Sequence, residues 1–227
     1  MALALSQQQV QQRTLIAKAF GWMFIGLALT AGVALYASRS EGLQRLVLGN
    51  GGVFLVLILV ELGLVMGISW GIQRISAATA AGLFLLYSAL NGLTLSVIFL
   101  VYELGAIYQA FFVAAGMFGG MSLYGYTTKR DLTALGSLAM MGLFGVILAS
   151  VVNWFLASSA LYWAITYIGV AVFLGLTAYD TQKLRKMSEA GLNEEDTRRY
   201  AVLGALALYL DFVNLFLFLL RIFGRRR

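Results

Sequence analysis

The sequence of 227 residues contains no histidine, no cysteine and no proline. Without cysteine, the chain cannot form a disulfide, a thiolate nucleophile or an iron–sulfur site. Without histidine, it has no imidazole to ligate zinc, haem or copper, to act as a general base or to change charge near neutral pH. Any group that titrates near neutral pH must therefore be a carboxyl in an unusual environment or a buried lysine.

Charged residues are also scarce, at 11% of the chain, whereas 61% of the residues are hydrophobic and the mean hydropathy is +0.86. Such a composition is typical of a protein that lies almost wholly within a bilayer. The apolar runs are about 20 residues long and lack the alternation of a transmembrane β-barrel, so they are predicted to be α-helices. The net charge of +6 is then attributed to loops that set orientation, and no nucleic-acid partner is expected.

The predicted fold class is an all-α integral membrane protein with seven transmembrane helices. Residues 1–18 are predicted to form a polar N-terminal tail without the order of a cleavable signal peptide, and residues 19–227 the transmembrane domain. The stretch KLRKMSEAGLNEEDTRRY (183–200) is predicted to be a long loop outside the membrane. The seven apolar segments are 19–38, 51–72, 77–102, 106–126, 134–156, 160–182 and 200–223.

The distribution of lysine and arginine favours a cytoplasmic N-terminus, because ten of the sixteen then fall on the cytoplasmic side. Seven crossings place the basic C-terminal RIFGRRR (221–227) outside, against this tendency. A last segment that enters and returns without crossing is the alternative, and seven crossings are preferred. The ten cytoplasmic residues are Arg13, Lys18, Arg74, Lys129, Arg130, Lys183, Arg185, Lys186, Arg198 and Arg199, and the other six are Arg39, Arg45, Arg221, Arg225, Arg226 and Arg227.

Glycines are concentrated in AAGMFGGMSLYGY (114–126), where Gly116 and Gly120 have GxxxG spacing. This spacing lets helix backbones approach closely in a membrane. The prediction is packing within the chain rather than a dimer face, and a monomer is preferred.

Three carboxylates interrupt apolar runs: Glu61, Asp180 and Asp211. An ionised side chain at the centre of a bilayer costs at least about 2.5 kcal/mol, so such residues are candidates for a functional site. Asp211 lies in LYLDFVNLFLFLLR (208–221), and Asn214 follows one turn later on the same helical face. Asp180 is flanked by threonines in LGLTAYDTQKL, so the alternative interpretation is a carboxyl that bonds to threonine or backbone and only locks packing.

The three carboxylates could share one polar cavity. Two carboxylates about 4 Å apart repel each other by roughly 4 kcal/mol at an effective dielectric of 20. Such a pair keeps one shared proton near neutral pH, and after losing it either separates or captures a cation, for which Ca²⁺ is the hard-oxygen choice. Measured from the segment edges, however, Asp180 is shallower than Asp211 by about 8 Å, so pairing requires a deeper start of segment seven, a helix break or a tilt.

Three stretches of the sequence resemble the Bax inhibitor-1 family, also called the transmembrane Bax inhibitor motif family. They are MSLYGYTTKRDL (121–132), YIGVAVFLGLTAYDTQKL (167–184) and GALALYLDFVNLFLFLLRIFG (204–224). The resemblance extends from about residue 19 to the end and is most similar to bacterial inner-membrane members of the YbhL/YccA type. AYDTQ together with LYLDFxNLF is its most specific part.

The resemblance implies a seven-helix bundle with the last helix at its centre, acting as a pH-sensitive calcium leak channel in the inner membrane. It implies that Asp180 and Asp211 form the pH-sensing pair and tentatively bind Ca²⁺, with Arg74 as a latch on the pair and Glu61 as an accessory residue. Asn214 is added as an accessory candidate from its position beside Asp211. Apart from the transported ions, no cofactor is expected. Eukaryotic relatives suppress cell death, and some bacterial relatives modulate a membrane-bound protease.

Three other functions compete with a leak. The same carboxylates would serve a proton-coupled Ca²⁺ antiporter, although no inverted repeat is visible. The chain could instead regulate a membrane protease, with the sixth loop and the RRR tail as contact surfaces. An intramembrane aspartyl protease is disfavoured because the GxGD half of its signature is absent from LYLD, so no enzymatic activity is predicted.

Overall fold

The structure is a computed structural model that describes residues 2–47, 49 and 51–224, with side chains from Leu15 onward. Across these residues the chain forms helices joined by short connections, and no strand is present. The helices are α1 (Ala2–Ala37), α2 (Glu41–Val47), α3 (Gly51–Gly71), α4 (Ala77–Leu95), α5 (Ile98–Val101), α6 (Leu104–Thr127), α7 (Thr133–Leu156), α8 (Ser159–Glu189) and α9 (Glu194–Phe223).

Seven of these helical stretches are long and apolar enough to cross a membrane, as the sequence predicts. They are Leu15–Ala37 of α1, α3, Ala77–Val101 across α4 and α5, α6, α7, α8 and α9. Within the predicted polar tail the chain is helical, because α1 begins at Ala2.

The predicted long loop at 183–200 is mostly helix. Helix α8 continues to Glu189 and α9 begins at Glu194, so the connection is only residues 190–193. Pairs of opposite charge spaced four residues apart, such as Glu195 with Arg199, support this first part of α9. Charged residues here extend a helix beyond the apolar region instead of ending it.

Helix α9 is the most buried of the seven spans. Of its apolar 18-residue stretch, 72% is buried, whereas the other spans reach 44% at most. Its 30 residues form one continuous helix, about 45 Å long at 1.5 Å per residue. A segment that enters the membrane and returns would need a break, so the structure favours a full crossing for this helix.

The chain forms two compact units, each described by itself. The first contains the described residues up to Glu103 together with Lys186–Tyr209. Its centre is the packing of α1 on α4, where glycines allow close approach. A Cβ atom on Gly92 would lie 2.7 Å from the Thr30 carbonyl oxygen, so only glycine fits there without a shift of the backbone. Helix α3 packs on the same α4.

The second unit contains Leu104–Arg185 and residues 210–224. Helices α6 and α8 approach most closely where Gly125 faces Ala178, since a Cβ on Gly125 would lie 2.2 Å from the Ala178 carbonyl oxygen. By contrast, a Cβ on Gly116 or Gly120 would meet no atom of the described chain within 4 Å, and both glycines are exposed. The prediction that Gly116 and Gly120 mediate packing within the chain is therefore wrong, and Gly125 performs that role.

Candidate functional site

Asp180 and Asp211 lie at the same level of the second unit. Helices α8 and α9 are antiparallel neighbours in sequence, and the rings of Phe173 and Phe218 are in contact, with their centroids 5.9 Å apart. Asp180 lies seven residues after Phe173, and Asp211 lies seven residues before Phe218. Both steps cover about 10 Å of helix in the same direction, so the two aspartates face the same depth.

The sequence predicts that Asp180 is shallower than Asp211, but the two carboxylates lie at one depth, and it is the two helix ends that differ in depth. Helix α8 ends nine residues after Asp180, whereas α9 starts seventeen residues before Asp211. The additional residues of α9 form its charged first turns. An earlier helix start thus reconciles the two positions without a break in α9.

Asp211 is deeply buried, with only 4% of its surface exposed. Its Oδ2 atom has no hydrogen-bond partner, which is rare for a buried polar atom and calls for an explanation. The Asp180 carboxyl lies close enough to interact electrostatically with that of Asp211. Asp180 is half-buried and also interacts electrostatically with the exposed Lys183, one turn further along α8.

The residue that follows the buried aspartate packs among aromatic rings. Phe212, the next residue, is buried and makes edge-to-face contacts with Phe111 and Phe118 of α6, each at 5.5 Å between centroids. Such rings offer no conventional hydrogen bond, and Asp211 itself is shielded from solvent. A lone negative charge on Asp211 would therefore be costly, unless a proton or a cation is shared with Asp180.

The described polar residues near the pair donate no hydrogen bond to the Asp211 carboxyl. The hydroxyls of Thr177 and Thr181 donate to carbonyl oxygens one turn back in α8, at 2.7 and 2.8 Å. The amide of Asn214 donates to the Leu210 carbonyl in the same way, at 2.8 Å. These bonds satisfy the side chains locally, so the interpretation in which threonine fixes a structural carboxyl receives no support from the geometry.

Gln182 is a residue of this region that the sequence did not single out. It is 2% exposed and holds the connection between α6 and α7 with both ends of its amide. Its Oε1 accepts from the Leu132 N–H, and its Nε2 donates to the Arg130 carbonyl, both at 2.8 Å. One turn later, Arg185 donates to the carbonyls of Tyr126 and Thr128. Gln182 and Arg185 thus tie α8 to the α6–α7 connection. The signal for Gln182 in the sequence is an uncharged amide at the end of an apolar run.

Glu61 lies in the first unit and has its own set of partners. Its Oε2 accepts from Asn91 Nδ2 at 3.1 Å, and its Oε1 accepts from the Thr94 hydroxyl at 2.9 Å, both from α4. The side chain is 9% exposed. Glu61 is therefore hydrogen-bonded in a separate cluster, while Asp180 and Asp211 both belong to the second unit.

Arg74 lies in the short connection between α3 and α4 and is exposed. Within its own unit it makes no ion pair with a described side chain. The neighbouring contacts there come from other residues: Glu195 Oε1 accepts from the Ala77 N–H at 2.9 Å, and Arg199 reaches the Gln73 carbonyl at 3.5 Å. The role of Arg74 as a latch stays a prediction.

With this geometry established, comparison with known proteins decides the family. The sequence matches, over residues 12–227, the family described as "Inhibitor of apoptosis-promoting Bax1". The chain belongs to the Bax inhibitor-1 family.

Relatives from distant bacteria resemble the chain along nearly its whole length. It is 55% identical to "Inner membrane protein YbhL" of Escherichia coli, over 97% of this chain and 95% of the relative. It is 47% identical to an uncharacterized protein of Borreliella burgdorferi, over 97% and 96%. It is 46% identical to an uncharacterized protein of Deinococcus radiodurans, over 99% and 96%.

Membership of the Bax inhibitor-1 family confirms the resemblance read from the motifs, and the seven apolar helices confirm the predicted fold class. The YbhL relative is named for the inner membrane, and none of these relatives is named for an enzymatic activity. The motif residues Asp180 and Asp211 of this Bax inhibitor-1 protein are the pair that the geometry places at one level.

Proposed function

We propose that this Bax inhibitor-1 protein is a pH-sensitive Ca²⁺ leak gated by Asp180 and Asp211. The observation that carries the proposal is the buried Oδ2 of Asp211, which has no hydrogen-bond donor and lies beside a second carboxyl. A single proton shared between the two carboxyls would satisfy that atom and hold α8 against α9. Loss of the proton leaves two negative charges that repel or attract a cation.

Ca²⁺ suits the deprotonated pair as transported cargo. It is a hard cation that takes six to eight oxygen ligands. In the part of the chain that the structure describes, no group of three or more carboxylate, histidine or cysteine side chains could hold a metal ion. Two carboxylates alone leave most of the coordination to water and backbone carbonyls, which suits a site that ions pass through more than one that retains them.

The leak and the antiporter are separated by flux measurements on the wild-type protein in liposomes with a clamped membrane potential. For a leak, Ca²⁺ is expected to move only down its own gradient. Its rate should rise from mildly acidic to mildly alkaline pH, because deprotonation separates the pair. An imposed proton gradient without a Ca²⁺ gradient should then move no Ca²⁺.

Uphill accumulation of Ca²⁺ driven by the proton gradient would contradict the leak and establish antiport. Absence of flux under all conditions, with the protein folded and correctly inserted, would instead favour a regulator of a membrane partner. Empty liposomes and liposomes with an unrelated seven-helix protein provide the controls.

We also propose that the protein lies in the bacterial inner membrane with its N-terminus in the cytoplasm. The charge distribution supports this orientation, and the continuous α9 supports an odd number of crossings. Because the chain lacks cysteine, single-cysteine variants can be labelled without background. Gly42→Cys, in α2 with open space around it, is expected to react in intact spheroplasts with a membrane-impermeant maleimide.

Ala190→Cys, in the exposed connection between α8 and α9, is expected to react only after the membrane is permeabilised. Both positions are exposed, so a difference in labelling reports the side of the membrane and not burial. The reverse pattern would contradict the proposed orientation.

A further inference from the structure

A chain of polar side chains crosses the interior of the first unit. It starts at Glu61, whose Oε2 accepts from Asn91 Nδ2, and the Asn91 Oδ1 accepts from the Tyr209 hydroxyl at 3.0 Å. The Tyr209 hydroxyl lies 2.6 Å from the Thr30 hydroxyl. Four groups from α3, α4, α9 and α1 are thus linked in series. Tyr209 is fully buried at 0% exposure.

The far end of this chain reaches backbone acceptors. The Thr30 hydroxyl lies 2.8 Å from the Ser88 carbonyl oxygen and 2.9 Å from the Gly26 carbonyl oxygen. Thr30 has only one proton to give, and Tyr209 has one as well. The direction of each bond is therefore fixed by the group at the other end of the chain, Glu61.

With Glu61 ionised, the bonds can run in only one direction. The carboxylate accepts only, so Asn91 must turn its NH₂ group toward Glu61 and its carbonyl toward Tyr209. Tyr209 then donates to Asn91 and must accept from Thr30. The Thr30 proton is used in that bond, and neither the Ser88 nor the Gly26 carbonyl receives it.

When Glu61 is protonated, the same atoms can form this series of hydrogen bonds in the opposite direction. The carboxyl O–H needs an acceptor, and a half-turn of the Asn91 amide presents its carbonyl at the same place. Its NH₂ then donates to the Tyr209 oxygen, Tyr209 donates to Thr30, and Thr30 donates to the Ser88 or Gly26 carbonyl. Amide oxygen and nitrogen have nearly the same shape, so the half-turn needs no repacking.

We propose that Glu61, Asn91, Tyr209 and Thr30 form a second proton-binding site, in which proton uptake by Glu61 reverses every hydrogen bond of the chain. Thr94 completes the site by donating to Glu61 from α4. This inference does not rest on ion transport, because it follows from counting donors and acceptors in the first unit.

Of the four side chains in this series, Glu61 is the one with an acidic group that can exchange a proton. Within the first unit, the other titratable groups that interact electrostatically with it are the phenols of Tyr87 on α4 and Tyr209 on α9. Phenols stay neutral over the physiological range. Tyr209 lies two residues before Asp211 on α9. A proton taken up at Glu61 thus changes the hydrogen bonding of the helix that also carries the candidate gate.

The test is infrared difference spectroscopy of the full-length protein in lipid, between mildly alkaline and mildly acidic pH. Two pH-dependent signals are expected: a carbonyl band of a protonated carboxyl, and a tyrosine C–O band that shifts as its hydroxyl changes partner. Glu61→Gln should abolish the Glu61 part of the carboxyl band and the tyrosine shift, leaving only the band of the Asp180–Asp211 pair. The neutral amide group donates at all pH values and keeps the hydrogen bonds in the reversed direction. Tyr209→Phe should remove the tyrosine signal and retain the carboxyl band.

Matched variants keep the assignment specific. Tyr87→Phe removes a phenol near Glu61 that is outside the chain, and both signals should persist. A variant with both Asp180→Asn and Asp211→Asn removes the other buried carboxyls and should leave the Glu61 band in place. Thr30→Val should abolish the shift of the tyrosine band while the carboxyl band remains.

The proposal is overturned if the tyrosine shift survives Glu61→Gln, or if it survives Tyr209→Phe. If the Glu61→Gln variant does not accumulate, Tyr209→Phe and Thr30→Val still test the proposal, because neither substitution removes a charge. Because no readout involves Ca²⁺, failure of this site and failure of the leak are distinguishable.

Discussion

Asp211→Asn is expected to abolish the pH dependence of Ca²⁺ release from liposomes and to hold the flux low at all pH values. Asparagine is nearly the same size as a protonated aspartic acid and cannot ionise, so the pair can never carry two negative charges. For carboxylates about 4 Å apart, that repulsion is roughly 4 kcal/mol, equivalent to a gating factor of up to about a thousandfold. Asp180→Asn should have the same effect, because the pair acts as a unit.

Thr177→Val is the matched control for these two variants. Thr177 is fully buried one turn before Asp180, but its hydroxyl bonds to its own helix backbone. Valine keeps the β-branched outline and removes only a hydroxyl that bonds within α8, so pH-dependent flux should be retained within about twofold. If both asparagine variants keep the pH dependence of the wild type, Asp180 and Asp211 are not the gate.

The aspartate pair shows what the sequence could and could not determine. The cost of a charge in hydrocarbon identified Asp180 and Asp211, and the motifs identified the family. Segment edges placed at polar residues predict the wrong relative depth for the two aspartates, because the polar residues do not end these helices. Charges spaced four apart, such as Glu195 and Arg199, continue a helix into water, so the apolar boundary and the helix boundary differ by several residues.

The helix faces were harder to predict, and the physical reason is the lipid. In a soluble protein, a polar surface distinguishes the outside of a helix from its core. Lipid is as apolar as the core, so helix α6 has little contrast between its faces. The buried positions of α6 include Ala114, Phe118 and Ser122, spaced four apart. Gly116 and Gly120 lie two positions off this stripe, on the opposite face, although their GxxxG spacing suggested the interface.

The hydrogen-bond network around Glu61 could not be predicted from the sequence for a related reason. The sequence marks Glu61 as an isolated charge, but its partner Asn91 is 30 positions away, and Tyr209, which bonds to Asn91, is 148 positions away. Only the packing of α3, α4 and α9 brings them together. Single polar residues in several helices predict some polar contact, and the tertiary fold decides which.

Gly125→Ala is expected to destabilise the protein strongly, although it only replaces one hydrogen atom with a methyl group. The new methyl would lie 2.2 Å from the Ala178 carbonyl oxygen and 2.9 Å from its carbon, and backbone atoms cannot rotate away. Helices α6 and α8 must separate, two residues from Asp180. Overpacking of this kind costs about 1–3 kcal/mol, and at about 2–4 °C per kcal/mol the midpoint of thermal unfolding in detergent should fall measurably.

Gly120→Ala is the matched control, because it makes the same substitution five residues earlier in the same helix. A methyl there meets no described atom within 4 Å, and alanine favours a helix over glycine by up to about 1 kcal/mol. We therefore expect an unchanged or slightly raised midpoint. Equal losses in the two variants would mean that the exposed glycine face is also packed. Because no described residue of the chain lies within 4 Å of a Cβ at Gly120, the packing partner would be a second copy. The pair of variants thus separates a packing glycine from a glycine that merely lies in a GxxxG spacing.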